Sequence, residues 1–319
     1  MEAAPKIRSA VVLILVAALA AAAPAWPQGK PQDTPQDRAG LADTTFASAT
    51  VKPVVPVKAY PFSLKNVRLL DGPFKTAMDR DLRYMMSLDN DRLLHMFRVT
   101  AGLPSTAEAY GGWEKPDVEL RGHTVGHFLS AAALMYASTG DTAIKDKAEA
   151  IVAGLADCQK ALGASGYVSA FPESFFDRVE STRSVWAPYY TIHKIMAGLV
   201  DMFEHCGSRQ ALDVVEGLAR WVKSRTDRSD AVHMERVLNF TEQGGMNEVL
   251  ANLYAITGKA EYLATARRFD ERKYTEPLTH GVDKMKGEHV NSFIPNIIGS
   301  AREYELTNDP VLRRLATFF

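Results

Sequence analysis

Apolar residues recur at helical spacing along most of the chain from about residue 62 onward. Leu155, Cys158 and Leu162, for example, follow one another at intervals of three and four residues, which places their side chains on one face of an α-helix. Strand-like patterns are scarce, and residues 166–171 are the one candidate for a short strand. The pattern therefore predicts an all-α fold.

An internal repeat organises the predicted helices. Four times, an apolar helix with an aromatic residue near its end runs into a Thr-Gly-like stop, and a second apolar-periodic stretch follows. Glycine and asparagine tolerate the left-handed backbone conformation that ends a helix, so each stop marks the turn of a helical hairpin. The four stops are Gly140, Gly207, Gly258 and Asn308.

Such hairpins have to stack on their neighbours, because none of them can bury its inner face alone. They can form an open superhelix or a closed ring in which the first hairpin packs on the last. In either arrangement, the loops that precede the first helices lie at the same end of the stack, and loops on a rigid scaffold commonly carry function. We therefore expect the site at this end, in residues 111–123, 183–190, 241–248 and 287–291.

The first of these loops supplies a pair of histidines. His123 and His127 are four residues apart, so they share one face of a helix, and Glu119 and Arg121 come just before them. We interpret all four as candidates for contact with a ligand. A metal site and a purely structural pair are the alternatives, although the catalytic glutamate of a His-Glu-x-x-His metal motif is missing.

The second loop is rich in aromatic residues. Trp186, Tyr189 and Tyr190 offer flat rings beside His193, and sugars bury their C–H faces on such rings while polar neighbours bond their hydroxyl groups. The alternative is that these rings belong to the core or cap a helix.

The third and fourth loops add polar groups. Asn247 and Glu248 follow two glycines that allow the backbone to approach a ligand closely, although a tight turn capped by Asn247 would look the same. His289 lies at the start of the first helix of the fourth hairpin, and it either faces the cavity or caps this helix. Asn291 and Ser292 are predicted N-cap residues, which would place Pro295 in the first turn.

Composition narrows the class of protein. The 319 residues carry 37 Lys and Arg against 38 Asp and Glu, so the chain lacks the basic surface of a nucleic-acid-binding protein. Two cysteines, Cys158 and Cys206, are too few for a disulfide scaffold or a four-cysteine zinc site. They lie on different hairpins in apolar surroundings, and we expect buried free thiols.

The amino-terminal residues are predicted to lie outside the fold. Residues 1–23 combine two basic residues, a run of 13 apolar residues and small residues before Pro24, which is typical of a cleaved secretory signal; an uncleaved anchor is the alternative. Residues 24–61 hold seven of the 16 prolines and are predicted to be a disordered linker. We therefore expect a secreted or periplasmic protein without membrane association after cleavage, and a folded domain over residues 62–319.

Taken together, the loops resemble a known family. The segments Gly-Gly-Trp-Glu-Lys-Pro from 111, Glu-Leu-Arg-Gly-His-Thr-Val-Gly-His from 119, Val-Trp-Ala-Pro-Tyr-Tyr-Thr-Ile-His-Lys from 185, Gly-Gly-Met-Asn-Glu from 244 and His-Val-Asn-Ser-Phe-Ile-Pro from 289 are similar to the catalytic domain of glycoside hydrolase families 127 and 146. Those enzymes are β-L-arabinofuranosidases. The resemblance covers residues 62–319 and implies an (α/α)6 barrel, of which about four to five hairpins are present.

The resemblance also implies a chemistry. Family members release terminal β-L-arabinofuranosyl units from plant-type glycans, with a zinc-bound cysteine as nucleophile and a glutamate as acid/base, which differs from the usual pair of carboxylates. His289 and the residues around His193 and Asn247 would line the sugar subsite. The nucleophile, the acid/base and the zinc ligands would follow the segment around His289. Neither Cys158 nor Cys206 matches them, so we expect no zinc ligands in this chain.

We therefore expect the amino-terminal part of a secreted glycosidase that binds arabinose-containing glycans and is inactive alone. Two other hypotheses remain. A different hairpin-ring carbohydrate enzyme, such as an uronyl hydrolase or a polysaccharide lyase, would draw its acid/base groups from Glu119, His123, His193 or Glu248. A non-catalytic helical-repeat scaffold would bind glycan or protein in its concave face.

Overall fold

A computed structural model of the protein describes residues 49–59 and 61–319, and in this part of the chain all regular structure is helical. Short 3-10 turns occur at Leu64–Asn66, Gly112–Glu114 and Arg267–Phe269. The α-helices are α1 (Pro73–Ser87), α2 (Asn90–Thr100), α3 (His123–Thr139), α4 (Thr142–Ala161), α5 (Ser174–Glu180), α6 (Pro188–Cys206), α7 (Arg209–Thr226), α8 (Ala231–Phe240), α9 (Met246–Thr257), α10 (Ala260–Ala266), α11 (Arg272–Thr279), α12 (Val290–Thr307) and α13 (Pro310–Phe318).

The four predicted hairpin turns are confirmed. Gly140, Gly207, Gly258 and Asn308 follow α3, α6, α9 and α12, with φ angles of 74°, 72°, 73° and 55°. At three of the four turns the next residue then caps the second helix, because the side chains of Asp141, Ser208 and Asp309 accept hydrogen bonds from amides of its first turn. Each connection is thus a two-residue turn in which the left-handed residue ends one helix and its neighbour begins the next.

The hairpins stack in chain order. The first helices α3, α6, α9 and α12 pack successively on one another, and the second helices α4, α7 and α10 do the same. The pair α1 and α2 packs against α3 and α4 and extends the stack at its amino-terminal end. The predicted all-α architecture of barrel-forming hairpins is therefore confirmed.

The backbones of α3 and α6 are in close contact. A Cβ atom on Gly126 would overlap the carbonyl group of Lys194, and a Cβ atom on Gly198 would overlap the carbonyl oxygen of Gly126. The two backbones therefore touch, and only glycine fits at these positions. This contact sets the register between the two helices that carry His123 and His193.

The candidate strand at residues 166–171 is wrong, since this segment is irregular. It is nevertheless buried: the Tyr167 ring packs 4.6 Å from that of Trp221, and the Tyr167 hydroxyl donates to the Phe171 carbonyl at 2.5 Å. No other described segment is extended beside it, so its apolar pattern reflects burial under α7 rather than strand pairing.

The predicted start of α12 is also wrong. The helix begins at Val290, with His289 as the N-cap residue, and Pro295 therefore lies inside the helix rather than in its first turn. Proline has no N–H to donate, so the Asn291 carbonyl loses its partner four residues on. Asn291 is exposed, which leaves its backbone accessible to water.

Part of the predicted linker lies among the described residues and contacts two hairpins. The Thr50 hydroxyl donates to the Ile256 carbonyl at 2.7 Å, and the Val51 amide donates to the Ala255 carbonyl at 2.9 Å. The amide of Val54 donates to the Glu305 carbonyl at 2.9 Å. These residues therefore bond to carbonyl groups near the carboxyl ends of α9 and α12. The predicted signal segment and residues 24–48 lie outside the described residues.

Both cysteines are free and buried, as predicted. Burial raises the pKa of each thiol to about 11, so neither is a thiolate at neutral pH. Within the described part of the chain, no helix has the length and apolar character that crossing a bilayer requires.

The backbone contact at Gly126 leads to a stability prediction. Replacing Gly126 with alanine forces α3 and α6 apart, and we expect the free energy of unfolding to fall by about 1–3 kcal/mol or more. The control is Gly111→Ala, because a Cβ atom there would meet nothing within 4 Å. Urea unfolding followed by circular dichroism checks the difference, and equal midpoints for the two variants would contradict the close packing.

Candidate functional site

The amino terminus of α3 is held by a side chain from the preceding loop. Glu114 accepts hydrogen bonds from the amides of Gly122, at 2.6 Å, and Thr124, at 3.1 Å. Its carboxylate also lies 3.0 Å from His123 Nδ1. Gly122 has no side chain that could cap the helix, so Glu114 takes this role from eight residues upstream.

Four rings gather above this helix end. The His123 ring lies 5.8 Å from that of Trp113, 5.6 Å from that of His127 and 6.4 Å from that of Tyr190. We call Trp113, His123, His127 and Tyr190 the ring cluster. Trp113 is 62 % exposed while His123 is only 6 % exposed, so the cluster has an open side and a buried base.

His193 lies beneath the glycine pair that precedes α9. A Cβ atom on Gly244 would come within 2.7 Å of His193 Nδ1, and one on Gly245 would come within 2.9 Å of its Nε2 and 3.2 Å of Glu248 Oε2. The two glycines therefore allow the loop to lie on the imidazole, and Gly245 is bordered by both this ring and the Glu248 carboxylate. His193 Nδ1 is buried without a hydrogen-bond partner among the described residues.

The electrostatic environment keeps two histidines neutral. Burial and the nearby Lys194 ammonium group lower the pKa of His193 well below its ordinary value. The same two causes lower the pKa of His127 to about 4, although this ring keeps an exposed edge. Lys194 lies over the Tyr190 ring, 4.7 Å from its centroid, and burial lowers its own pKa. Burial raises the pKa of Glu248, although Lys194 opposes the shift.

Glu119 and Arg121 bond to other parts of the protein. Glu119 accepts from the Trp186 amide at 2.7 Å and from Arg178 Nη1 at 2.8 Å, which ties the second loop to the first. Arg121 is buried and donates to the carbonyls of Ala170, at 2.8 Å, and Val118, at 2.9 Å. A ligand contact for either residue stays a prediction.

The aromatic residues of the second loop divide between core and surface. Tyr189 is buried, with ring centroids 5.0 Å from Phe176 and 5.2 Å from Phe269. Tyr190 belongs to the ring cluster, and Trp186 is exposed on the same loop. Tyr190 is therefore the tyrosine that a ligand at the ring cluster would meet.

Asn247 is fully buried and bonded within the protein. Its Nδ2 donates to the Asn296 carbonyl at 2.8 Å and to Asp270 Oδ1 at 3.1 Å, and it packs directly against Gly299. These bonds join α9 to α12 and thereby fix the position of Glu248, which is the next residue of α9. His289 is exposed at the N-cap of α12 and has no recorded side-chain contact with the other candidates.

A buried acidic pair lies behind Asn247. Glu303 is 0 % exposed, and its nearest cationic group, Arg267 Nε, is 3.6 Å away. Burial and the neighbouring Asp270 raise the pKa of Glu303, and burial also raises that of Asp270. Glu303 is therefore protonated at neutral pH.

The described residues do not fit a cysteine–zinc centre. Both thiols are buried, and neither belongs to a group of three or more potential metal ligands in the described part of the chain. The one metal-compatible group in this part of the chain is Asp201, Glu204 and His205 on α6, which offers two carboxylates and an imidazole but no sulfur.

The role of Glu114 was not predicted from the sequence. The available signal was a glycine before the first helical residue of α3, which implies that the free amides need an acceptor from elsewhere. Trp113 and Lys194 were likewise missed as members of the site, because their contacts with it depend on the register of the helices.

The buried acidic pair leads to a prediction on pH. An unfolded glutamate ionises near its ordinary pKa of 4.5, whereas burial and the neighbouring Asp270 raise the pKa of folded Glu303, which therefore keeps its proton to a higher pH. The folded state therefore binds more protons between these two pKa values, and this group lowers the free energy of unfolding progressively as pH rises. Glu303→Gln removes that loss, so the variant should gain stability relative to the wild type as pH increases.

The measurement is urea unfolding at several pH values across this window. The control is Glu276→Gln, because Glu276 is 56 % exposed and pairs only with Arg272 on its own helix. A difference between Glu303→Gln and the wild type that does not change with pH would contradict a protonated Glu303.

The solved structures that share this fold include two arabinofuranosidases. Ara127N-Se, a GH127 β-L-arabinofuranosidase from Geobacillus stearothermophilus T6, superposes with a TM-score of 0.58 at 17% identity, over 80% of this chain and 44% of its own. The GH127 β-arabinofuranosidase BT3674 superposes with a TM-score of 0.53 at 14% identity, over 85% of this chain and 43% of its own. The chain therefore spans less than half the length of either relative. No curated protein sequence matches it significantly.

The sequence itself matches one family model. Residues 66–319 match the model described as the β-L-arabinofuranosidase, GH127 catalytic domain. This stretch contains every helix described above and all the residues of the ring cluster. The chain therefore belongs to the glycoside hydrolase family 127 β-L-arabinofuranosidase catalytic-domain family.

Proposed function

We propose that this chain forms the sugar-binding part of a β-L-arabinofuranosidase and that the ring cluster receives a terminal β-L-arabinofuranosyl unit of a plant-type glycan. The observation that carries the proposal is the ring cluster itself, in which an exposed indole and a phenol surround imidazoles at one end of α3 and α6. Family membership supplies the class of sugar.

The chemistry of the cluster suits a small neutral sugar. A furanose ring presents C–H groups that pack on aromatic faces such as those of Trp113 and Tyr190. Its hydroxyl groups can donate to an unprotonated imidazole nitrogen, and the low pKa of His127 keeps that ring neutral at pH 7.

We propose further that this chain binds the sugar without hydrolysing it. A retaining or inverting glycosidase normally uses two carboxyl groups that flank the scissile bond. Of the glutamates near the cluster, Glu114 and Glu119 are held by backbone amides and by His123 or Arg178. Glu248 remains as the one carboxyl group near His193 with a raised pKa. The expected zinc-held cysteine has no suitable ligands among the described residues.

Glu248 also supports a second candidate function. A carboxyl group with a raised pKa beside a buried histidine is the kind of group that serves as a general acid. If this chain alone cleaves a glycan, Glu248 is the residue we expect to protonate the leaving group, as in another hairpin-ring carbohydrate enzyme. Loss of that turnover in Glu248→Gln would favour this alternative.

The test uses 4-nitrophenyl β-L-arabinofuranoside with the full chain. We expect saturable binding by calorimetry and no release of nitrophenolate. Trp113→Ala should weaken binding by about tenfold, because the indole loses its contact with the sugar. The control is Phe74→Ala, since Phe74 is an exposed ring on α1 that lies outside the ring cluster.

The α-anomer of the same glycoside serves as the control ligand. Equal affinity for both anomers, or no loss of affinity in Trp113→Ala, would contradict the proposed binding mode. Release of nitrophenolate by the wild-type chain would contradict the absence of turnover.

We propose in addition that the protein is exported through residues 1–23, on the strength of the basic and apolar pattern of that segment. Amino-terminal sequencing of the protein recovered from outside the cytoplasm should find cleavage near residue 23. An intact amino terminus would contradict the proposal.

A further inference from the structure

The carboxylate of Glu114 is fixed in one position by three donors. Oε2 accepts from the Gly122 amide at 2.6 Å, and Oε1 accepts from the Thr124 amide at 3.1 Å and lies 3.0 Å from His123 Nδ1. Burial acts to raise the pKa of Glu114, but the hydrogen bonds from His123, Thr124 and Gly122 hold it below its ordinary value. Glu114 therefore remains ionised and cannot itself donate a proton to His123.

The Glu114 carboxylate and the Leu120 carbonyl together determine which nitrogen of His123 carries the proton. His123 Nδ1 lies 3.0 Å from Glu114 Oε1 and 2.9 Å from the Leu120 carbonyl oxygen. Both neighbours only accept hydrogen bonds, so Nδ1 must be protonated. In a neutral ring, Nε2 then carries a lone pair. No described residue forms a hydrogen bond with Nε2. This nitrogen is also not among the fully buried polar atoms, so it keeps some access to the surface.

The remaining neighbours of the imidazole are rings rather than hydrogen-bonding groups. Trp113, His127 and Tyr190 surround it at centroid distances of 5.6 to 6.4 Å. A ligand that packs on these rings would therefore meet Nε2 as a nearby acceptor. A sugar hydroxyl is a donor of the required kind.

We propose that Glu114 is a positioning residue, which holds His123 with its proton on Nδ1 so that Nε2 accepts a hydrogen bond from a hydroxyl group of the bound sugar. The second half of this statement rests on the proposed function, whereas the first half concerns the protein alone. Glu114 acts through His123 and the helix end, and it needs no contact with the sugar.

Glutamine at position 114 separates this role from simple packing. Glu114→Gln keeps the shape of the side chain but offers one carbonyl oxygen and one amide group to three donors. In one orientation of the glutamine amide, its N–H group faces the Gly122 amide. In the other orientation, it faces the Thr124 amide and His123 Nδ1. We expect a disturbed His123 ring and a change in the environment of its Nδ1 proton.

The first measurement is long-range ¹H–¹⁵N correlation NMR on protein labelled at its eight histidines, with His123→Asn to assign the signals. In the wild type we expect a protonated Nδ1 and an unprotonated Nε2 in neutral His123. In Glu114→Gln the Nδ1–H proton should move upfield, because the charged acceptor is lost. The control is Glu216→Gln, because Glu216 is matched in exposure, 16 % against 15 %, and contacts Lys259 and Tyr262 instead.

A proton on Nε2 in the neutral wild-type ring would overturn the proposal. The wild-type measurement therefore tests the proposal even if Glu114→Gln does not fold. Unchanged His123 signals in a folded Glu114→Gln would overturn it as well. If Glu114 had only a structural role, Glu114→Gln would lower stability, but the choice of the protonated nitrogen of His123 would not depend on the carboxylate.

The second measurement is binding of 4-nitrophenyl β-L-arabinofuranoside. Glu114→Gln should bind about three- to tenfold more weakly than the wild type, which corresponds to one impaired hydrogen bond, while Glu216→Gln should match the wild type. If the wild type shows the expected Nδ1 proton but binds no glycoside, the proposed function fails and the acceptor role fails with it. If the wild type binds but carries its proton on Nε2, the positioning role and the acceptor role both fail, while the proposed function stands.

Discussion

The direct contact between the backbones of α3 and α6 is the constraint on which the site depends. Gly126 and Gly198 let the two helices approach until carbonyl groups occupy the space of a side chain. Because backbone atoms touch, neither helix can rotate or slide without a clash. His127 is therefore held beside Lys194, and His123 beside Tyr190, although each pair is more than 60 residues apart in the chain. A looser contact, made by flexible side chains, would leave the relative position of these groups undetermined.

The backbone groups at the helix termini find their hydrogen-bond partners in different ways at the two ends of the hairpin stack. This difference explains where the polar side chains lie. At the turn end, left-handed residues and side-chain caps satisfy the backbone locally. At the other end, α3, α6, α9 and α12 all begin without a side-chain cap from their N-cap residue. Their free amides need acceptors from elsewhere. Glu114 serves α3, and the Glu242 carbonyl, which precedes α9, accepts from Tyr190 at the start of α6. The loops are thus drawn over the helix ends, which places polar side chains at one end of the stack.

Local signals in the sequence were enough for the fold but not for the roles of individual site residues. The turns at Gly140 and Asn308 were predictable because the backbone angle that ends a helix is a property of one residue. Glu119 looked like a ligand contact because its partners, Arg178 and Trp186, lie 59 and 67 residues away and carry no mark in the sequence. Asn247 looked like a site residue for the same reason, since its bond to Asn296 spans 49 residues. The start of α12 was misplaced because His289 gives no capping hydrogen bond that a sequence pattern could have predicted.

The polar network behind Asn247 is better explained by specificity than by stability. Asp270, Glu271 and Glu303 all have pKa values raised by burial, so each would be more stable in water in its ionised form. Apolar residues of similar volume would often stabilise such a region. They would not, however, hold the Asn247 amide, which bonds to both Asp270 and the Asn296 carbonyl and thereby joins α9 to α12 in one register. The fourth hairpin needs such a device, because Phe293 and Leu315 pack with Tyr274 in a separate small core and α12 adds only Leu306 to the buried residues of the main core. Without the buried amide, the main core would leave the position of α12 against α9, and hence of Glu248 beside His193, less well determined.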